Sequence, residues 1–109
     1  PQGAPYPLLM LTIIESSTFK AWFAALRDRV ARARIAVRIR RLSIGNPGDA
    51  KPVGNGISEM RIDHGPGYRI YFLRRGALLA ILLCGGDKST QEDDIAKAKR
   101  IAQDWENDQ

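Results

Sequence analysis

The chain has 109 residues, 44% of them hydrophobic and 27% charged, a composition typical of one soluble globular domain. Its single cysteine excludes a disulfide framework and, with a single histidine, excludes a His/Cys metal cluster, so we expect no metal and no other cofactor. The net charge of +5 favours an anionic partner, either nucleic acid or an acidic protein.

The N-terminal residues 1–9 (PQGAPYPLL) carry three prolines and precede Met10, a candidate start. We expect a leader or a cloning remnant here, outside the fold, and one domain over residues 10–109. The leader has no signal-sequence pattern, and no apolar run reaches the ~18 residues that span a membrane. We therefore expect a cytoplasmic protein without membrane contact. Leu11–Glu15 (LTIIE) is a short β-branched run that predicts the first strand.

Helical spacing follows from Ser17, and two apolar stripes on opposite sides of the helix then compete. The first stripe continues through Val30, Ala33 and Val37, and the second runs through Ala31, Ile35, Ile39 and Leu42. A break near Asp28, which can cap a second helix, predicts an antiparallel helical pair that buries both stripes.

The second predicted helix is rich in arginine. These residues are Arg29, Arg32, Arg34, Arg38, Arg40 and Arg41. They indicate either a solvated face, whose long side chains cover apolar surface, or a surface for an acidic or nucleic-acid partner.

The middle of the chain predicts a turn-rich loop and several strands. Gly45–Gly56 is the loop, with a short edge strand at Lys51–Val53. Ile57–Asp63 and Tyr68–Arg74 flank a Gly-Pro-Gly turn and predict a β-hairpin. Ala77–Cys84 is apolar at every position, which predicts a central strand buried on both faces. Its terminal cysteine has no His/Asp triad, so we expect core packing there and not nucleophilic catalysis.

The stretch GGDKST (residues 85–90) is similar to the end of a phosphate-binding P-loop. It fails as one because Asp87 separates Gly86 from Lys88 and no glycine stands five residues earlier. We expect the two glycines to form a turn that leaves the central strand. Lys88 then lies just before a helix N-terminus, a position that suits an anion.

A C-terminal helix is predicted to begin at a Ser89 or Thr90 cap, with Glu92 completing a capping box. Asp93 and Asp94 suit the positive end of its dipole and are not expected to form an acid/base couple. Its apolar stripe is Ile95, Ala98, Ile101, Ala102 and Trp105.

Alternation in the predicted hairpin brings two arginines and a tyrosine to one face. If the apolar residues of both arms face the helices, Arg61, Arg69 and Tyr71 share the opposite face, where they can bind a phosphate. The alternative is cross-strand ion pairing with Glu59 and Asp63, as on many solvated sheet faces.

Two more residues are candidates for the same site. Lys88 follows the end of the central strand, so it converges with Arg61 and Arg69 if the hairpin lies beside that strand. His64 begins the hairpin turn, where an exposed imidazole beside arginines can move protons.

Three long segments of the sequence resemble one family. They are Ala33–Asp49 (ARIAVRIRRLSIGNPGD), Lys51–Phe72 (KPVGNGISEMRIDHGPGYRIYF) and Ile81–Ile95 (ILLCGGDKSTQEDDI). They resemble the RelE/HigB-type toxins of type II toxin–antitoxin modules, in the branch known as addiction module killer proteins. The resemblance extends from Met10 to about Trp105.

The resemblance implies an α+β, RelE-like fold. In this fold an N-terminal strand and a helical pair pack on a small, curved, mainly antiparallel sheet, and a C-terminal helix follows. It also implies a cytoplasmic toxin neutralised by a cognate antitoxin, usually a helix-turn-helix protein. Many members cleave mRNA in the ribosomal A site without metal, by directing the ribose 2′-OH onto the adjacent phosphate.

Three positions match catalytic residues of the family. Arg61 matches a strand arginine that contacts the scissile phosphate, Arg69 matches the next basic position, and Lys88 matches a basic residue beyond the last strand. The resemblance thus implies that these three residues stabilise the charge of the phosphorane.

Proton transfer is not assigned by the resemblance. Some members use a tyrosine in the C-terminal segment, where this chain has Asp93, Asp94 and Ile95. Tyr71 or His64 is the expected substitute, and both are expected to bind substrate. Lys51 and the basic second helix are expected to approach the backbone of ribosomal RNA.

The leading functional hypothesis is therefore a toxin that acts as a ribosome-dependent mRNA endoribonuclease. A second hypothesis is a non-enzymatic inhibitor of DNA gyrase on the same fold, as in ParE-like proteins, which need no cluster of phosphate-cleaving cations. A third is a basic RNA-binding module without toxicity.

Overall fold

The computed structural model describes residues 10–107, so the predicted leader at residues 1–9 lies outside the described part of the chain. Within this part, five strands and three α-helices follow in the order β1 (Thr12–Glu15), α1 (Ser17–Ala25), α2 (Arg29–Ser43), β2 (Ala50–Gly54), β3 (Ile57–Ile62), β4 (Tyr68–Arg75), β5 (Leu79–Asp87) and α3 (Gln91–Asn107). A 3₁₀ turn, Lys88–Thr90, joins β5 to α3.

The strands form one curved sheet in the order β1-β5-β4-β3-β2. β1 runs parallel to β5, whereas the other neighbouring strands are antiparallel. The predicted α+β architecture, with its N-terminal strand, helical pair, mainly antiparallel sheet and C-terminal helix, is confirmed, and it is compatible with a RelE-like fold.

Local capping explains why the first helical segment divides in two. Ser16 Oγ accepts a hydrogen bond from the backbone N–H of Phe19 at the start of α1. Asp28 Oδ1 accepts from the N–H groups of Val30 and Ala31, so it caps α2 as predicted. These caps satisfy N–H groups that a helix N-terminus otherwise leaves without partners.

Both faces of the sheet are covered by helices. On one face, α1 and α2 pack through Phe19, Ile35 and Leu42 against a cluster that includes Met60, Ile62, Ile70, Phe72 and Leu82. On the other face, α3 packs through Ala98 and Ala102 against a cluster that includes Ile57, Tyr71, Leu73, Ile81 and Leu83. Because β5 lies between β1 and β4 under both layers, its uniformly apolar sequence is explained and the predicted double burial is confirmed.

The prediction that the helical pair buries both stripes of α2 is wrong. The stripe of Ala31, Ile35, Ile39 and Leu42 faces the sheet. The other stripe is exposed: Val30 is 51% and Val37 46% accessible. A single layer of helices meets the sheet on this side, so α2 can bury only the face that points inward.

The prediction that Gly85 and Gly86 form a turn is also wrong. Both glycines are buried inside β5. A Cβ on Gly85 would lie 2.3 Å from the indole of Trp22, and one on Gly86 would lie 1.8 Å from Asp94 Oδ2. The glycines are therefore needed because side chains from the two helical layers approach the strand backbone from opposite faces.

The helix cap lies earlier than predicted. The N-cap is Asp87, and not Ser89 or Thr90. Its Oδ1 accepts a hydrogen bond from the N–H of Ser89, and Asp87 and Thr90 form a capping box. Hydrogen bonds from the Ser89 hydroxyl and then from the Ser89 N–H lower the pKa of Asp87, so its carboxylate stays ionised at the positive end of the turn. The cap moves because β5 continues through both glycines before the chain turns.

Candidate anion-binding site around Glu59

A buried carboxylate organises the residues predicted from the hairpin. Glu59, on β3, has no exposed surface. Its Oε1 accepts from Arg61 Nε at 3.2 Å and from Arg69 Nη1 at 3.0 Å. Its Oε2 accepts from the Tyr71 hydroxyl at 3.1 Å and from Gln91 Nε2 at 2.8 Å. Each carboxylate oxygen of Glu59 thus has two donors.

Strand register explains this arrangement. Glu59 is directly opposite Tyr71 in the β3–β4 pair, and Arg61 is directly opposite Arg69. Residues two apart on a strand share a face, so all four side chains project toward α3. Gln91, the first residue of α3, supplies the fourth donor to the Glu59 carboxylate from the helix that covers this face.

The Glu59 carboxyl remains ionised despite its burial. Burial acts to raise the pKa of Glu59, but hydrogen bonds from Gln91 and Tyr71, the charge of Arg69 and a hydrogen bond from Arg61 outweigh it and lower the pKa. Two guanidiniums around one carboxylate leave an excess positive charge. The candidate site is therefore cationic even though its centre is an acid.

The two arginines differ in their access to a ligand. The Arg69 side chain is only 12% exposed, and its buried Nε has no hydrogen-bond partner in the described part of the chain. The Arg61 side chain is 35% exposed and bonds Glu59 through Nε alone. Among residues 10–107, Arg61 Nη1 and Nη2 make no hydrogen bond, and neither atom is buried. Arg61 therefore keeps a pair of donors for an anion.

Strand pairing gathers Lys88 with the arginines at one end of the sheet. Arg69 is opposite Gly86 on β5, and exposed Lys88 follows two residues later. Neighbouring strands lie about 4.8 Å apart, so the backbones of Arg61 and Gly86 are separated by roughly 10 Å. The Lys88 Cβ lies 3.5 Å from the position that a Cβ on Gly67 would occupy, which places it against the β3–β4 turn.

Lys51 lies at the edge of the same face. It is exposed on β2 and directly opposite Glu59 in the β2–β3 pair. The predicted short edge strand is thus confirmed, and it places a fourth cation beside the row formed by Arg61 and Arg69. A polyanion that approaches this end of the sheet meets Lys51, Arg61 and Lys88 on accessible surface.

Tyr71 is not displayed to a ligand. It has no exposed surface, and the expectation of an open face carrying this residue is wrong. Burial, together with the neighbouring Glu59 carboxylate, raises the pKa of Tyr71 far above its ordinary value. In this position the phenol donates to Glu59 and supports the carboxylate.

His64 does not stand exposed beside the arginines. Its Nε2 lies 3.0 Å from Oδ2 of Asp28, the residue that caps α2, and its side chain is 23% exposed. His64 continues the alternation of Met60 and Ile62, which face the helical pair. The contact ties the hairpin turn to the α1–α2 connection.

Of the two acids considered as ion-pair partners, only Glu59 takes that role in the described residues, since Asp63 forms no ion pair there. Gln91 was not identified from the sequence. The pattern did contain a usable signal: a strand as apolar as β5 must be covered on both faces, so a helix had to lie over Glu59 as well. That signal predicts a helix over Glu59 but does not tell which residue of the helix contacts the carboxylate.

The described part of the chain offers neither a metal site nor a membrane-spanning helix. No group of three His, Cys, Asp or Glu residues within 10–107 is placed to hold a metal ion. No helix there is long and apolar enough to cross a membrane. Cys84 is 1% exposed and donates to the Asp94 carbonyl, and burial raises its pKa to about 12, in accord with the predicted packing role.

Fold and site together define a small α+β protein with a cationic cluster at one end of its sheet. Residues 21–105 match the model of the phage-derived Gp49-like proteins (DUF891), and the chain belongs to this family, which is associated with toxin–antitoxin modules. An uncharacterized protein of Haemophilus influenzae is 49% identical over 96 residues, which cover 88% of this chain and 97% of that protein.

Proposed function

We propose that this protein is the toxin of a type II toxin–antitoxin module and that it cleaves mRNA on the ribosome. Membership of a toxin–antitoxin-associated family supports the first part. The observation that supports the second is Arg61, whose Nε is held by a buried carboxylate while its two terminal nitrogens remain accessible. The resemblance to RelE/HigB-type toxins assigns the phosphate contact to the same residue.

In the proposed reaction the ribose 2′-hydroxyl loses its proton to water and its oxygen bonds to the adjacent phosphorus. The bond from phosphorus to the 5′-oxygen breaks, and the departing 5′-oxygen takes up a proton from water. Negative charge builds up on the phosphoryl oxygens in the transition state, and prepositioned cations stabilise it most where water is excluded. Arg61 and Lys88 contact the phosphate from accessible positions. Arg69 contributes its charge from beneath them, and Lys51 binds the flanking backbone.

Glu59 acts here as a positioning residue. Ordering a long arginine side chain costs about 2 kcal/mol of conformational entropy when it happens on binding. The bond from Arg61 Nε to Glu59 already restricts that side chain in the free protein. Preorganisation of this kind favours the transition state because the cation does not need to move as charge develops.

The proposed partner of the toxin is a cognate antitoxin, as its family association suggests. A free toxin of this kind stops growth, so a host must keep it in an inactive complex with the antitoxin. We therefore expect the chain to be tolerated in cells only with its antitoxin or under tight repression.

Inducible expression with mapping of mRNA 5′ ends tests the proposal. The wild type should arrest growth and produce cuts at a fixed position within codons. Lys88→Ala should remove most of the cuts, and it should fold normally because Lys88 is exposed. Lys97→Ala is the matched control, because Lys97 is an exposed lysine on α3 outside the cluster.

Arg61→Ala completes the experiment, with a thermal melt to establish that the variant is folded. A folded Arg61→Ala that still cuts mRNA would contradict the assigned role. Growth arrest with intact mRNA and damaged DNA would instead support a gyrase inhibitor, the second hypothesis from the sequence.

A further inference from the structure

The outward face of α2 carries an apolar stripe that is exposed in the described structure. Val30 and Val37 are seven residues apart, about two helical turns, so they lie along one line of α2, and exposed Ile44 caps the end of the helix. Their exposed fractions are 51%, 46% and 52%. Ala33 is exposed on the same face. Because the opposite face of α2 already packs on the sheet, the fold itself does not require this stripe.

A groove of about 440 Å³ lies beside the stripe, between α2 and the end of β3. Its apolar lining comes from Ala33, Val37 and Ile62, and Arg34 and Arg41 are its flanking cations. Ile62 is almost fully buried, and the few atoms that it exposes lie at the bottom of the groove.

Arg38 fixes the shape of this groove. Its guanidinium donates to the backbone carbonyls of Arg61, Pro47 and Asp49, which belong to β3 and to the loop before β2. One side chain thereby ties α2 to two other segments. The groove is therefore largely formed before any ligand arrives, and a ligand does not need to separate α2 from the sheet.

The charge around the groove is strongly positive. α2 contains six arginines and no acidic residue in its sequence RVARARIAVRIRRLS. None of the ion pairs among residues 10–107 involves Arg34 or Arg41, and Asp63 is the sole acid among the lining residues. An occupant with acidic side chains on both sides of an apolar row matches this surface.

These features favour a protein over RNA. Arginines on α2 suit either ligand, and the sequence alone left both open. A phosphate backbone gains nothing from half-exposed valines at helical spacing, whereas the apolar row of an amphipathic helix buries them. Two copies of this chain do not fit, because a symmetric contact places α2 arginines against each other. Residues 1–9 do not supply an acidic occupant either, because their sequence, PQGAPYPLL, contains no acidic residue.

We propose that the outward face of α2, with the groove beside it, is the docking surface for an acidic amphipathic helix of a partner protein. The proposal rests on the proposed function only for naming that partner as the antitoxin. The partner's apolar row covers Val30, Ala33 and Val37, and its acidic flanks pair with Arg34 and Arg41.

The binding test uses the full chain and a fluorescent synthetic peptide of about three heptads, with Leu at the a and d positions and Glu at the flanking ones. A scrambled peptide has the same composition and charge but no aligned leucines. We expect the aligned peptide to bind at least about tenfold more tightly than the scrambled one. Equal binding of the two peptides, or no binding, would overturn the proposal.

Variants locate the site without changing the charge. Val30→Ser/Val37→Ser should weaken binding of the aligned peptide about tenfold, since two half-exposed valines lose their burial. Leu78→Ser, at a 57% exposed leucine beyond the end of β4, is the matched control and should bind as the wild type. An unchanged affinity in the double variant would contradict the assignment. A single-stranded RNA that loses affinity for the double variant to the same extent would also contradict it.

This test is independent of toxicity. The valine variant should still arrest growth in cells, because none of its positions belongs to the Glu59 site. Peptide binding without growth arrest would leave the docking surface standing and remove the proposed function. Growth arrest without peptide binding would do the reverse.

Discussion

Replacing Glu59 by glutamine tests whether one buried carboxylate holds the candidate site together. The amide has nearly the same shape but no charge, and its NH₂ group cannot accept hydrogen bonds. Arg61 and Arg69, which are directly opposite each other, would then face one another without a neutralising partner. Leaving Arg69 without a partner costs more free energy than leaving Arg61 without one, because the Arg69 side chain is only 12% exposed.

The expected loss of stability is large for a single substitution. Removing one partner of a buried ion pair typically costs about 3–5 kcal/mol, because the remaining charge stays buried. Such a loss is a large part of the roughly 5–15 kcal/mol that keeps a small domain folded. In a domain of this size it corresponds to a decrease in Tm of at least about 12 °C.

Urea unfolding at neutral pH measures this loss, followed by the fluorescence of Trp22 and Trp105, and linear extrapolation gives the free energy of unfolding. Glu106→Gln, at an exposed position near the end of α3, is the matched control and should stay within about 0.5 kcal/mol of the wild type. If Glu59→Gln costs less than about 1 kcal/mol, the carboxylate does not organise the site and the reasoning is refuted.

Because the pKa of Glu59 is lowered in the fold, its contribution to stability is present above its unfolded-state pKa and is lost as the pH falls through its folded-state pKa. Urea titrations from neutral pH to about 3 should show a free energy of unfolding that declines less steeply in Glu59→Gln than in the wild type. Equal pH dependence of the free energy of unfolding in the two proteins would contradict this prediction. Gly86→Ala should lose about 2 kcal/mol or more in urea unfolding, since its Cβ would lie 1.8 Å from Asp94 Oδ2, and Gly86→Ala/Asp94→Ala should lose less than the two single changes combined. The Cys84 thiol, with its pKa raised to about 12 and 1% exposure, should react with a thiol reagent only after unfolding, so rapid labelling of the native protein would count against the packing.

The periodicity of apolar residues, together with the capping and turn-forming residues, predicts most of this fold. The break at Asp28 is visible because Asp is a favoured cap and the apolar stripes change sides there. The hairpin and the central strand follow from alternation and from a continuous apolar run. These features depend on local interactions, which a single sequence records directly.

The errors arise where tertiary contacts decide. Gly85 and Gly86 have the sequence of a turn, yet they are strand residues because Trp22 and Asp94 occupy the space of their missing side chains. Tyr71 has a place in a polar alternation, yet it is buried because α3 covers that face. Neither contact can be derived from spacing within one strand.

The candidate site was predicted in its composition but not in its organisation. Arg61, Arg69 and Lys88 follow from strand alternation and from the resemblance, and strand pairing places them at one end of the sheet. The central role of Glu59 and the contribution of Gln91 depend on how α3 docks. Docking of a helix is set by the whole apolar face, so a single sequence gives no distance between two polar residues beneath it.

Primer extension on a defined mRNA, with purified protein and programmed ribosomes, tests the central claim most directly. We expect cuts at a fixed position within the A-site codon that require the ribosome, persist in Lys97→Ala and disappear in Lys88→Ala and in folded Arg61→Ala. An intact mRNA in the presence of active, folded wild-type protein would contradict it, as would cuts that remain unchanged in both variants.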